Sequence, residues 1–600
     1  MRHRVPLVLA LALAGVALCY QLDGYALFEP DEGRNAEVAR EMAASNDYVL
    51  PRLNGLPYLD KPVLFYAAGA LTMELLGPTE LAARLPSLVF TLLTLGVVTW
   101  FAHHLYGAAG AWIAAIAYVA SPFTLTYART VIMDSAVTLW MVVAIAAFYL
   151  GVERAVRPPG QPAVNDAEHP RPPDRPGAGA WAVWGWAALG LGVLTKGPVA
   201  LAVPLLVMVP YARWRRRLAV VLDPVAMLVF LAVVLPWVFA VSRDVPDFLH
   251  YVLVVETAQR LTTGALGRSE AWWYFFPILL GAALPWTVVV ASALRRPVRG
   301  AAPDPRAVLL GLWIVVPLLF FTLSQSKRPQ YILPLVPAFA LAVAHLWRQV
   351  EGRLPGARIA GAVLAAFGGV LVVAAARLAG VFPASAEVAS VIPATARWLG
   401  AAAAIGGIAA LALARHRAWT LCALALPVCA VPIAGMPLLR ALGDDRSAAG
   451  LAAAMRPWVS DRTEIVAIET FPLSLPFYLQ RPLTLVTRDG RELTSNYVPR
   501  RLDDFRRAPG SLLRPPEWWD DALTFCERPR LFVVRVDDGP ARDRLAAAVP
   551  LVAASRKVLV FGPCGGEGFA ARGAEPGEWY PPQFDLPPPA DPRRSPLPPP

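Results

Sequence analysis

Between Phe28 and Lys61 the chain reads FEPDEGRNAEVAREMAASNDYVLPRLNGLPYLDK, which gathers Asp31, Glu32, Arg34, Asp60 and Lys61 between two very apolar regions. A single charge outside a bilayer is ordinarily solvated surface. Carboxylates and cations clustered against apolar sequence can instead move protons and hold anions. Asp31 and Glu32 stand at the start of a helical run, Gly33 to Ala44, where exposed N–H groups and the helix dipole favour ionised carboxylates. The plainer role for Asp31 is a helix cap. Ala36, Ala39, Met42 and Ala43 share one face of that run while Arg34, Glu37, Arg40 and Glu41 point elsewhere, a pattern expected of a helix lying in a membrane interface. Asp60-Lys61-Pro62 then opens a second apolar helix, and its plainer reading is an interfacial ion pair of little energy.

Later segments repeat the theme. Asp134, in ARTVIMDSAVTLW, lies just inside an apolar run, where an acidic group is costly enough to imply a function. Lys196 makes most of the turn in LTKGPVAL, with snorkelling as its alternative. Glu256, Gln259 and Arg260 fall at helical spacing and share a face, as they would on any solvated helix. Lys327, Arg328 and Tyr331 in SQSKRPQYILP complete the set. Cations gathered opposite a few carboxylates suit a lipid-linked phosphate or diphosphate, leaving the carboxylates for acid and base work.

The elements that must position these residues are apolar. The chain has 600 residues, 56% hydrophobic and 16% charged, against about 25% charged in soluble proteins. Apolar runs at 5–20, 82–102, 108–126, 131–151, 181–194, 197–212, 218–241, 272–294, 306–323, 331–347, 359–380, 397–414 and 418–438 predict an α-helical polytopic membrane protein with about 13 spans. The first run lacks an evident cleavage site and reads as an uncleaved anchor. Arginine clusters at 2–4, 154–175, 213–217, 295–299, 348–358 and 415–417 alternate with the spans, so the positive-inside rule makes their side cytoplasmic. Loop 21–81 and the C-terminal region then face outward. The net charge of +11 is thereby a topology signal rather than a nucleic-acid footprint.

The 158–179 segment is Pro-rich and polar, a flexible cytoplasmic loop. After residue 440 hydropathy falls, and β-type runs at Glu464–Ile468, Leu483–Val486, Leu531–Val536 and Val558–Phe561 alternate with helix-like Pro499–Arg507 and Ala541–Ala548. The expected division is a membrane domain over 1–440, a periplasmic α/β domain over 441–575 and a Pro-rich disordered tail over 576–600. Cys19, Cys422 and Cys429 sit in apolar runs. Cys526 and Cys564 could pair if their domain lies outside the cytoplasm. No zinc-type Cys/His spacing occurs, so no metal ligands are expected.

The motifs PDEGRNAEVAREM, PRLNGLPYLDKPVLFY, ARLPS, TKGPVAL and SKRPQYILP together resemble the aminoarabinose transferase and protein O-mannosyltransferase group, GT-C glycosyltransferases that use polyprenyl-phosphate sugars. The resemblance runs from Tyr25 to about Trp347 and is specific in combination. It implies a GT-C membrane domain with Asp31, Glu32 and Lys61 as catalytic residues. Arg34, Tyr58, Asp60, Asp134, Lys196, Arg260, Lys327 and Tyr331 would line the substrate pocket, with Lys61 on the donor phosphate. It further implies an inner-membrane enzyme, open to the periplasm, that moves a sugar such as 4-amino-4-deoxy-L-arabinose or another pentose or hexose from undecaprenyl phosphate to lipid A, another glycolipid or a protein. The transfer would invert the anomeric centre and need no cofactor beyond the lipid-linked donor. Two departures leave sugar and acceptor open: the family motif usually carries Tyr where Asn35 stands, and a His- or Arg-rich stretch where LTTGALGRSE follows Gln259 and Arg260. The competing class is a transporter or flippase of a lipid-linked substrate, with Asp134, Lys196 and Lys327 along a path. The charges gather at outer helix ends rather than at the midplane where transporters bind, and no internal repeat is visible.

Overall fold

The computed structural model describes residues 4–156, 177–259, 270–293, 303–349, 354, 356–381 and 385–565. The expected Pro-rich loop, apart from its last residues, and the C-terminal tail lie outside the described residues. Two compact units emerge, one of Met1–Ala449 with Pro472–Gln480 and Leu493–Arg501, the other of Gly450–Phe471, Arg481–Glu492 and Leu502–Pro600.

The first unit is a multi-pass membrane bundle. Among the described residues nine helices are long and apolar enough to cross a bilayer, ten if one bent pair counts as a span. Helices occupy all thirteen expected apolar runs, and the lower count has local causes. Arg4–Cys19 (α1) and Val199–Trp214 (α8) have only 16 residues each. Runs 82–102 and 108–126 merge into Glu80–Val119 (α4), which breaks at Gly107, where φ is 74°, a left-handed conformation that only glycine adopts without strain. The 272–294 run divides into Phe275–Ala282 and a helix from Trp286, bent by 106°. Pro285 lies in that break, and its missing N–H interrupts the helical ladder.

Hydrocarbon gives helices no solvent-driven reason to associate, so close backbone approach must hold them. The pair Ala357–Leu378 and Ala386–Ala412 meets through glycines. A Cβ on Gly368 would stand 2.4 Å from the Gly400 carbonyl oxygen, and one on Gly407 would stand 2.5 Å from that of Gly361.

The charged first loop folds as helix Asp31–Ser45 (α2), a short hairpin of Arg52–Leu53 (β1) and Leu56–Pro57 (β2), and helix Leu64–Leu76 (α3). The hairpin turns on Asn54-Gly55, both at positive φ, the pairing that two-residue turns favour. The interfacial expectation for α2 does not hold. Glu32, Gly33, Asn35, Ala36, Glu37, Val38, Ala39 and Met42 are all buried, so the helix is enclosed rather than laid on a surface. The polar face is covered because its charges find partners. Glu37 accepts two 2.7 Å bonds from Arg40, and Glu41 accepts the backbone N–H groups of Asn54 and Gly55. Burial pushes the Glu37 carboxyl up to about 8, against the opposing pull of Arg40.

The second unit is an α/β fold. Its six strands are Glu464–Ile468 (β3), Thr484–Val486 (β4), Leu513–Arg514 (β5), Arg530–Arg535 (β6), Leu551–Ala554 (β7) and Val558–Cys564 (β8), in the order β5-β4-β3-β6-β8-β7. The first four are parallel, and β8 and β7 are antiparallel additions. Val466, Ile468, Phe532, Val534, Leu545 and Phe561 form its core. Strands β3, β4, β6 and β8 coincide with the expected β-type runs, and β5 and β7 are additional to them. Cys526 and Cys564 form a disulfide across 38 residues. Removing it by Cys526→Ala with Cys564→Ala should cost this unit about 3–4 kcal/mol by loop-closure entropy. Thermal unfolding of the two proteins checks this, and equal midpoints would contradict it.

Candidate active site

The site is built around a pair of residues that do not line it. Glu32, 2% exposed, accepts from Arg84 Nε and Nη2 at 3.0 Å each, from the Phe28 N–H at 2.9 Å and from the Val131 N–H at 3.0 Å. Arg84 in turn donates to the carbonyls of Leu22, Tyr25 and Ala26 and sits 3.7 Å from the Tyr25 ring centroid. Four bonds occupy the lone pairs of Glu32. The expected catalytic role therefore does not fit its geometry, which is that of a clamp joining α2, α4, the entry loop and the 129–133 turn. Residues 31 and 32 differ in fate because neighbours on a helix are about 100° apart, so one faces the core while the other faces out.

The 129–133 turn is held from several directions. Ser87 Oγ donates to the Thr130 carbonyl at 2.7 Å, Asn35 Nδ2 to that of Val131 at 2.8 Å, and Tyr25 Oη to that of Arg129 at 2.9 Å. Asp134 follows as the first residue of helix Asp134–Val156 (α6), buried and paired with Lys196 at the end of helix Ala178–Lys196 (α7). The Lys196 ammonium also lies 5.2 Å from the Tyr331 ring centroid.

Two cavities meet here. A polar chamber of about 70 Å³ is lined by Asp31, Arg34, Asn35, Tyr58, Arg328, Gln330, Thr494 and Asn496, among others. An apolar cavity of about 370 Å³ is lined by residues such as Val137, Met141, Val199, Trp237, Leu253 and Phe320. Asp60, Lys61, Asp134, Lys196 and Tyr331 belong to the walls of both. The whole is an amphipathic compartment: hydrocarbon lining on one side, charged and hydrogen-bonding groups on the other, and two lysines at the junction. Such a junction can hold an anionic headgroup while its apolar tail stays out of water.

Within the chamber Arg34 Nη2 donates to Asp31 Oδ1 at 2.5 Å, and Arg34 Nη1 to Thr494 Oγ1 at 3.0 Å. The other Asp31 oxygen lies 3.9 Å from Arg328 Nη1. Burial disfavours the Arg34 charge, but Tyr58, Asp31, Tyr66 and Asp60 outweigh it and raise its pKa above the ordinary arginine value. Asp60 accepts from Tyr251 Oη at 2.6 Å and from Asn496 N at 3.1 Å and Nδ2 at 3.2 Å. Lys61 Nζ donates to the Asp60 carbonyl. Asn35 is buried, its amide fixed by Val131 and by Tyr66 Oη at 3.2 Å.

The compartment thus unites Asp31, Arg34, Tyr58, Asp60, Lys61, Asp134, Lys196 and Tyr331. Lys327 stands apart from the lining. It is 8% exposed and donates to the Glu270 carbonyl at 3.0 Å, and Arg328 enters the chamber in its place. A tight 3-10 turn begins at Pro329, directly after these two cations. Arg260 lies outside the described residues, as do the side chains of Glu256 and Gln259. Gln330 was legible only as a neighbour of Tyr331, and Tyr251, Thr494 and Asn496 carry no local signal at all.

The chain is similar to known proteins in sequence and in fold. Residues 32–252 match the family model of dolichyl-phosphate-mannose-protein mannosyltransferases. The chain is 34% identical over 326 residues to the undecaprenyl phosphate-alpha-4-amino-4-deoxy-L-arabinose arabinosyl transferase of Aeromonas salmonicida, covering 54% of this chain and 56% of that protein. It is 32% identical over 334 residues to that of Erwinia tasmaniensis, again covering 56% of the relative. The chain thus spans about half the length of the curated relatives it matches. The structural likeness is broader. Crystal structures of ArnT from Cupriavidus metallidurans superpose with a TM-score of 0.77 when bound to undecaprenyl phosphate, at 26% identity over 92% of this chain and 97% of that one. The apo state gives 0.76 at 25% identity. The fold is that of the GT-C enzyme ArnT, as the motifs implied.

Because Glu32 and Arg84 are both buried, Glu32→Ala would leave a guanidinium unpaired and should cost roughly 3–5 kcal/mol. Its thermal midpoint in detergent should fall well below that of the wild type; an unchanged midpoint would contradict the clamp.

Proposed function

We propose that this chain is an inner-membrane glycosyltransferase that takes a sugar from a polyprenyl phosphate and transfers it to an acceptor at the periplasmic face. The observation that carries the reading is the amphipathic compartment, in which Lys61 and Lys196 stand where apolar lining gives way to polar lining. The apolar lining suits the start of a polyprenyl tail, the lysines its phosphate, and the polar lining beyond them the sugar. The arginine-bearing loops on the opposite side of the spans support the periplasmic orientation. The relatives' names support undecaprenyl phosphate as the carrier. 4-Amino-4-deoxy-L-arabinose or another pentose or hexose is the sugar, and lipid A, another glycolipid or a protein the acceptor.

In this reading the acceptor oxygen attacks the anomeric carbon from the face opposite the phosphate, the sugar–phosphate bond breaks, and the configuration inverts. The departing phosphate is a good leaving group once Lys61 and Lys196 offset its growing charge. Asp31 orients the acceptor, accepts its proton when it is a hydroxyl, and stabilises positive charge on the sugar. A phosphate acceptor would need little base catalysis. Arg34 and Arg328 hold Asp31 in its aim. Asp60, clipped by Tyr251 and Asn496, holds the backbone that carries Lys61. The scheme uses the lipid-linked donor and no further cofactor.

A membrane-based transfer assay tests the roles. Asp31→Asn should lower kcat roughly a hundredfold, and Lys61→Ala should lower kcat/KM for the donor by roughly tenfold or more. Near-normal activity in both variants would overturn the assignment.

A further inference from the structure

Residues Leu493–Arg501 lie some 430 positions after the charged first loop in sequence, yet they belong to the membrane unit and supply a wall of the polar chamber. Leu493, Ser495, Tyr497 and Val498 are buried and anchor the segment, and Ser495 Oγ accepts the N–H groups of Tyr497 and Val498. Thr494 is different, for the residue is exposed and packing does not call for a threonine there. Its backbone is also in the left-handed region, at φ 51°, which a β-branched residue rarely adopts and glycine or asparagine adopts far more readily. Strain of this kind persists where a side chain does something that its easier replacements would not. What the Thr494 side chain does is accept a 3.0 Å bond from Arg34 Nη1, while Nη2 of the same guanidinium donates to Asp31 at 2.5 Å.

We propose that Thr494 is a positioning residue that fixes the Arg34 fork and through it orients Asp31 for sugar transfer. A guanidinium is rigid and planar, so anchoring one arm sets the direction of the other. Without the hydroxyl, Arg34 can swing toward other acceptors and Asp31 loses its fixed aim. The inference rests on the proposed function, since it assigns Thr494 to the step in which Asp31 takes part.

The test uses the full-length protein in lipid nanodiscs. Release of undecaprenyl phosphate is followed in the presence of native membrane lipids and periplasmic proteins. Undecaprenyl-phosphate-linked 4-amino-4-deoxy-L-arabinose and undecaprenyl-phosphate-linked mannose serve as donors in parallel. Thr494→Gly, which relieves the backbone and removes the hydroxyl, should keep the thermal midpoint at or above wild type and lower kcat roughly fivefold with donor KM unchanged. Thr494→Ser, which keeps the hydroxyl, should stay within about twofold of wild type. In an Asp31→Asn background Thr494→Gly should have no further effect, because residues acting in one relay are not additive. Wild-type kcat in Thr494→Gly, failure of serine to restore it, or an undiminished effect in the Asp31→Asn background would each overturn the relay while leaving the transferase reading standing. A wild-type protein that releases no undecaprenyl phosphate from either donor would remove that reading, and the relay with it.

Discussion

The interaction on which the rest depends is the buried pair of Glu32 and Arg84. A carboxylate and a guanidinium this deep are tolerable only if each is fully hydrogen-bonded, and here both are. The consequence is geometric. Satisfying Glu32 requires the Phe28 and Val131 N–H groups, and satisfying Arg84 requires three carbonyls of the 22–26 loop, so four separate segments must meet at one point. Asp31 is then held at the head of α2 and Asp134 at the head of α6, each beside the same clamp. Polar residues used in this way add less to stability than to the uniqueness of an arrangement.

The compartment itself reflects a compromise between two solvents. A lipid-linked phosphate has a tail that must avoid water and a headgroup that must not enter hydrocarbon unaccompanied. In the proposed reading, one cavity lined by Val137, Trp237 and Leu253 and another lined by Asp31, Arg34 and Asn496 answer the two demands. In that reading the phosphate meets the lysines where the cavities join, Lys61 beside the Asp60 carbonyl and Lys196 beside Asp134. Two carboxylates near them are balanced, the buried Asp134 by Lys196 and the half-buried Asp31 by Arg34.

Much of this was legible in the sequence, and the exceptions have physical reasons. Apolar runs read true because hydrocarbon tolerates little else, although no count by run length foresees the break at Gly107 or the bend at Pro285. Asp31, Lys61, Asp134 and Lys196 stood out because charges beside apolar helices are costly and rarely idle. Choices between neighbours were not legible. Glu32 turns inward where Asp31 turns out, and Lys327 binds a carbonyl while Arg328 reaches the chamber, because backbone rotation over one residue settles each case. Thr494 and Asn496 were invisible because their importance comes from a long-range approach of chain that no local pattern encodes. The enclosure of α2 was missed for a related reason: amphipathicity tells which face is apolar but not whether partners cover the other.

The central claim is that the apolar cavity takes a polyprenyl chain with its phosphate at Lys61 and Lys196. Photo-crosslinking of the full-length protein with a photoactivatable polyprenyl phosphate, followed by peptide mapping, tests it most directly. The account predicts labelling within 193–202, 234–253 and 320–334, abolished by excess undecaprenyl phosphate. Labelling spread over the lipid-facing surface and unaffected by that competitor would contradict it.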